Sequence, residues 1–228
     1  MAITLGSLTF DEARTTVAES HEEVGGRNER AIVIKGVIVG KTTVAAIHAE
    51  LDAILDTASV ENYSVELSLR ADRRLHVRRN AFFREVNGEQ LVGSFTLELG
   101  AKDAFEEAAA ETFTNWPITA SGATLNRTAA GNVYAQPKIT LVATGAVVNP
   151  TFSDGTRTIA YSGTVADGET LIFDAATRTA TLEGANVTPY TTGVFPRVSP
   201  EGTVLTYTDD ASSSHTATGT VAFHDRWW

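Results

Sequence analysis

The chain has 228 residues, with 18 Lys and Arg against 28 Asp and Glu, a formal charge of −10. That length makes one large domain or two small ones, each able to bury a core, and 43% apolar with 20% charged residues is globular rather than disordered composition. The lack of cysteine excludes a disulfide scaffold, a thiolate metal site and a cysteine nucleophile, and the acidic balance argues against a protein that wraps nucleic acid.

Apolar runs reach only about six residues, far short of the roughly 20 that a membrane helix needs. Met1 to Phe10 has no Lys or Arg ahead of its apolar residues and runs into Asp11 and Glu12, the reverse of a signal peptide. The expectation is a soluble protein made in the cytoplasm, with no membrane insertion.

In chain order, Ala31–Gly40 reads as a strand or hairpin arm ended by glycine. Val44, Ile47, Leu51, Ile54 and Leu55 follow at spacings of three and four, which puts them on one face of a helix, with Thr42 or Thr43 as its N-cap. Tyr63–Leu69 and Leu75–Val77 alternate with period two, and Asn80–Val86 is a further short strand. Asn87-Gly88 is a two-residue hairpin signal leading into Leu91–Leu99. Lys102–Thr112, with Phe105 and an alanine run, reads as a short second helix.

Past Trp116 the character changes. Residues 1–115 hold 12 Lys and Arg and 19 Asp and Glu, whereas 116–228 hold 6 and 9. With Pro, Ser and Gly between Asn115 and Gly122, the boundary is placed there, giving domains 1–115 and 116–228. The second half has no convincing helix. Its segments Lys138–Val142, Ala146–Asn149, Thr156–Tyr161, Thr170–Asp174, Thr179–Glu183, Gly193–Pro196, Thr203–Tyr207 and Thr216–Phe223 are short and punctuated by Gly, Pro, Asp and Asn. Such spacing predicts an all-β sandwich.

Chemistry-bearing patterns are few. His21, His48, His76, His215 and His224 stand in no metal-ligand spacing. There is no Gly-x-Ser-x-Gly elbow, and Gly25-Gly26 lacks the Lys and Ser/Thr of a phosphate loop. Ser212-Ser213-Ser214-His215 reads as a solvated hairpin tip, and Glu22-Glu23, Glu106-Glu107 and Asp209-Asp210 as solvated faces. The expectation is no enzyme, no catalytic or metal residue and no cofactor. One cluster stands out: Arg70, Arg73, Arg74, Arg78 and Arg79, five arginines in ten residues. Guanidinium forks can grip phosphates, but nothing aromatic is interleaved for base stacking. In an acidic chain such a patch suits an acidic patch on a neighbouring copy, so these five are the expected subunit-interface residues. Trp227 and Trp228 after Phe223-His224-Asp225-Arg226 fit docking of a last strand, with sugar stacking as the alternative.

The order of motifs in the second half is specific. Asn149-Pro150, Ile159-Ala160-Tyr161-Ser162-Gly163, Gly168-Glu169-Thr170-Leu171-Ile172-Phe173-Asp174 and Arg178-Thr179 precede Phe195-Pro196-Arg197-Val198-Ser199-Pro200-Glu201-Gly202 and the terminus Asp225-Arg226-Trp227-Trp228. Over about residues 132–228 this series resembles the C-terminal domain of siphophage distal tail proteins. The sequence departs from that pattern at Phe173, at Glu201 inside the Pro-Gly turn and at Thr203. The resemblance implies a mainly β protein with minor α: a tail-tube-like β-sandwich flanked by a helix, then a galectin-like all-β sandwich. It further implies a virion structural protein forming a hexameric ring hub at the distal tip of a long non-contractile tail. The implied partners are other copies of the chain, the tail tube protein and the trimeric tail-tip (baseplate hub) protein, with the tape measure protein as a further neighbour. DNA would pass through the lumen without specific binding. The rival reading from another class is a carbohydrate-binding module for a host surface.

Overall fold

A computed structural model describes residues 2–24, 27–60 and 65–228. Gly25-Gly26 and Tyr63-Ser64 lie outside the described residues, as do the side chains of 22–28, including Glu22 and Glu23. The chain divides into two compact units, Met1–Ala109 and Ala110–Trp228. Residues Asn115 to Pro117 do not form a linker: they sit inside a strand of the second unit, where Trp116 is buried.

The first unit contains strands β1 (Ile3–Leu5), β2 (Leu8–Phe10), β3 (Thr15–Val24), β4 (Arg27–Ile38), β5 (Val65–Ser68), β6 (Arg73–Asn87), β7 (Val92–Ala101) and β8 (Glu106–Ala108), with helix α1 (Val44–Ala58) between β4 and β5. The main sheet has the order β2-β1-β5-β6-β7-β4-β3, with β8 beside β6, and these pairs are antiparallel. Alternation along β4 and β7 turns Ile32, Ile34, Ile38, Phe95, Leu97 and Leu99 inward. Against them α1 lays Ile47, Leu51 and Ile54, three of the five residues that the helical spacing selects. Thr43 caps the helix as expected, its hydroxyl accepting from the Ala46 N–H at 3.1 Å. Gly93 lets the helix come close, because a Cβ there would lie 2.5 Å from Ile47 Cγ2.

Two local expectations need correction. Leu75–Val77 and Asn80–Val86 are parts of one long strand, β6, with a bulge between Arg79 and Ala81. It turns into β7 through a four-residue loop rather than a two-residue one, since Asn87 pairs with Val92. Asn87 Oδ1 accepts from the N–H groups of Glu89 and Gln90 and so builds the turn itself. Lys102–Thr112 is not a helix. Asp103 Oδ1 accepts from the Phe105 N–H in a tight turn, and β8 then pairs Glu107 with Arg74 and Ala108 with Arg73. Strand pairing overrides the helical preference of the alanines.

The second unit contains β9 (Thr112–Ile118), β10 (Thr124–Arg127), β11 (Lys138–Ala143), β12 (Val147–Val148), β13 (Thr151–Ser153), β14 (Thr158–Tyr161), β15 (Thr164–Val165), β16 (Thr170–Asp174), β17 (Thr179–Leu182), β18 (Ala185–Asn186), β19 (Thr191–Gly193), β20 (Thr203–Thr208), β21 (Ala217–Phe223) and β22 (Arg226–Trp227). One sheet runs β10-β20-β13-β14-β19 and a second runs β18-β17-β16-β11-β21-β9, with β12 and β15 as a separate pair. Their inward residues form one aromatic-centred core. Phe152 from the first sheet meets Trp116 and Phe173 from the second edge-on, at centroid distances of 5.7 and 5.6 Å. The fold class is as expected: mainly β, with a helix in the first unit and an all-β sandwich in the second.

Candidate assembly surface

The arginine cluster begins at a turn. Asp72 takes a left-handed backbone (φ 60°), and the Arg73 N–H donates to the Arg70 carbonyl, which places Arg70 and Arg73 on either side of the bend. The segment that was expected to be a helix then brings Glu106 between them. Glu106 is 2% exposed. Its carboxylate accepts from Arg30 at 3.1 Å, from Arg73 at 3.3 Å and from Arg70. Arg30, also 2% exposed, donates in addition to Glu19 and to the Ala104 carbonyl. Burying charge is tolerable only where partners surround it, as they do here. The Glu106-Glu107 pair is therefore no solvated face: Glu106 is the buried centre of a five-residue ion network.

The remaining arginines differ. Arg74 donates to Glu66 at 2.7 Å. Arg78 and Arg79 stand exposed on β6, next to the bulge. Arg70, Arg73 and Arg74 have carboxylate partners inside their own unit, and Arg78, Arg79 and the half-exposed Arg70 reach the surface. Sequence reasoning missed Arg30 and Glu106, whose isolated positions carry no motif. A second outward feature lies at the sheet margins. β3, ten residues long, is an edge strand paired only with β4 on the main path, and the opposite edge, β2, has three residues.

No group of three or more metal-ligating residues occurs among the described residues. His48 is exposed on α1, and His76 Nε2 lies 4.0 Å from Glu107. His215 meets Asp209 at 2.8 Å, and the Tyr207 hydroxyl donates to the other Asp209 oxygen at 2.8 Å. The Asp209 side chain is fully buried, so Asp209-Asp210 is not a solvated face at its first member. Burial, followed by the Asp209 carboxylate, holds the Tyr207 hydroxyl far above its ordinary pKa. This clamp closes the Asp209–Thr216 loop, and its Ser-His sequence is a structural turn. Trp227 is half-buried, and Trp228 is 53% exposed with its N–H on Asn132 Oδ1 at 2.8 Å.

The second unit carries the decisive likeness. Residues 130–227 match the family model described as siphovirus-type tail component, C-terminal domain. Residues 130–227 are similar to that siphophage tail component family. The matched segment contains the Asn149-to-Trp227 motif series, and it includes Phe173, Glu201 and Thr203, so those departures do not break the match. The fold of the chain is similar across its whole length to the crystal structure of phage SPP1 Dit (gp 19.1), with a TM-score of 0.71 at 10% sequence identity, covering 100% of this chain and 99% of that one. SPP1 Dit is described as a paradigm of the hub adsorption apparatus in phages infecting Gram-positive hosts. No curated protein sequence matches the chain. The family match thus covers the C-terminal segment, and the fold likeness extends over both units.

Proposed function

We propose that this chain is a ring-forming hub at the distal tip of a long non-contractile siphophage tail. Six copies would join the tail tube protein to the trimeric tail-tip protein, with the tape measure protein as a further neighbour. The observation that carries this reading is the end-to-end fold likeness to the SPP1 hub protein, with both units represented. A closed ring needs one patch of the subunit to meet a different patch of the next. The unequal sheet edges, long β3 and short β2, offer such a pair of unlike margins, and the outward charge of Arg78, Arg79 and Arg70 supplies a salt-sensitive part. Arg73 and Arg74 take part indirectly, by fixing the bend. The role is structural and requires no catalytic residue or cofactor.

Native mass spectrometry across a salt series tests it. A species of six times the 24.3 kDa chain mass, weakened by salt and by Arg78→Glu with Arg79→Glu, is the expected result. A strict monomer at high concentration would remove the ring. The sugar-binding reading has one observation in its favour, the exposed face of Trp228. Retention of that monomer on a host-glycan column, lost in Trp228→Ala, would favour it.

A further inference from the structure

A charged cleft can be closed by its own counter-ions. In the first unit, the cleft lined by Asp11, Arg14, Lys41 and Glu50 pairs Asp11 with Arg14 and Lys41 with Glu50. The second unit has a cleft of the opposite kind, lined by Arg178, Arg197, Gly193, Val194, Phe195 and Pro196, with no carboxylate in its lining. Neither Arg178 nor Arg197 makes an ion pair among the described residues. Asp154, which the Arg197 backbone contacts, accepts from the N–H groups of Thr156, Arg157 and Arg197 and from the Arg157 guanidinium, and its side chain is 4% exposed. Two cations are thus left facing one opening in a chain of charge −10.

The cations are also held in place. Arg197 lies over the Tyr134 ring, with Cζ 3.7 Å from the centroid, a stacking that fixes a guanidinium without neutralising it. Arg178 occupies a left-handed position (φ 58°) in the β16–β17 turn, where glycine or asparagine would be the unstrained choice. Between them the cleft offers Val194, 59% exposed, beside the half-buried Phe195. Gly193 closes β19, and β19 is the terminal strand of its sheet, so one side of its backbone faces outward.

We propose that this cleft docks an extended acidic peptide segment of a partner protein, which adds along the free edge of β19, rests an aliphatic side chain on Val194, and sets a carboxylate between Arg178 and Arg197. Main-chain pairing at a sheet edge gives affinity, and the alternate side chains give selectivity. A polyol phosphate chain of a cell surface would satisfy the arginines but could neither pair with the strand edge nor cover the apolar lining. A neutral glycan would want a free aromatic face. Phe195 turns its ring edge-on to Phe173, and Tyr134 is covered by Arg197.

The inference rests on the second unit alone and does not require the ring. The test uses the full-length protein and a fluorescein-labelled peptide of alternating Glu and Val, read by fluorescence polarisation at about 50 and about 300 mM salt. The peptide is expected to bind, more tightly at low salt, while its Gln-for-Glu counterpart does not. Arg178→Gln should weaken binding roughly tenfold, the loss of one charge-assisted pair, with an unchanged unfolding midpoint because the residue is exposed in a turn; Arg197→Gln should weaken it further. No binding of the Glu peptide, or equal binding by Arg178→Gln, overturns the proposal. So does competition by poly(glycerol phosphate) at lower concentration than the peptide, which would assign the cleft to a surface polymer. A monomer that binds would leave this inference standing and the ring refuted; a hexamer that does not bind would do the reverse.

Discussion

Glu106 is one carboxylate answered by three guanidiniums, and almost none of it touches water. Replacing it by glutamine keeps the shape and removes the charge that balances Arg30. Glu106→Gln should therefore lower the unfolding free energy by about 3 kcal/mol, measured by urea denaturation. Arg84→Ala, which breaks the exposed pair with Asp52, should cost less than about 1 kcal/mol. Asp154 gives a pH signature. Burial works to raise its pKa, but the N–H groups of Arg157, Thr156 and Arg197 and the Arg157 side chain together hold it below the usual carboxylate value. A carboxyl with a depressed folded pKa contributes stability that is complete above its unfolded value of about 3.9 and disappears as pH falls through the folded one. Denaturation midpoints measured from neutral pH down into that acid range should fall more gently in Asp154→Asn than in the wild type.

At the level of elements, legibility followed the source of the stabilising partner. Helix α1 was readable because its apolar spacing and its threonine cap are both local. Thr43→Ala should cost about 1 kcal/mol, and Gly93→Val, which drives a side chain into Ile47, should cost more; thermal unfolding of the two variants checks the order. Thr170–Asp174 was readable to the residue as β16, since alternation and flanking turns coincide there. Lys102–Thr112 was misread because what decides it is distant. β8 forms against β6, and Glu106 is captured by arginines 33, 36 and 76 residues away. No periodicity announces such a pairing. Asp209 was misread for another reason: its partners Tyr207 and His215 are close in sequence, but a polar run gives no sign that its side chain is buried.

For the molecule as a whole, the formal charge of −10 and the internal pairing of Arg70, Arg73 and Arg74 leave few cations for phosphate. The expected outcome in a gel-shift experiment is no retardation of duplex DNA at physiological salt. Retardation abolished by Arg78→Glu would show instead that the outward arginines grip nucleic acid. The family was legible through the turn residues and strand ends of the second unit, because Gly, Pro and Asn positions are fixed by backbone geometry. Asn149, for example, adopts φ 51° and accepts from the Gly163 N–H. The first unit is built mainly from long alternating strands, a pattern that many folds share, and its likeness emerged only from the fold.

The ion network also sets an order of events during synthesis. Arg30, Arg70 and Arg73 emerge before Glu106, the carboxylate that all three share, whereas Glu19 reaches Arg30 and Arg70. A nascent first unit lacking its last few residues thus carries a cationic knot that resists being buried. Residue 106 lies near the end of the unit, so the charge balance of this network is reached only when synthesis of the unit is almost complete.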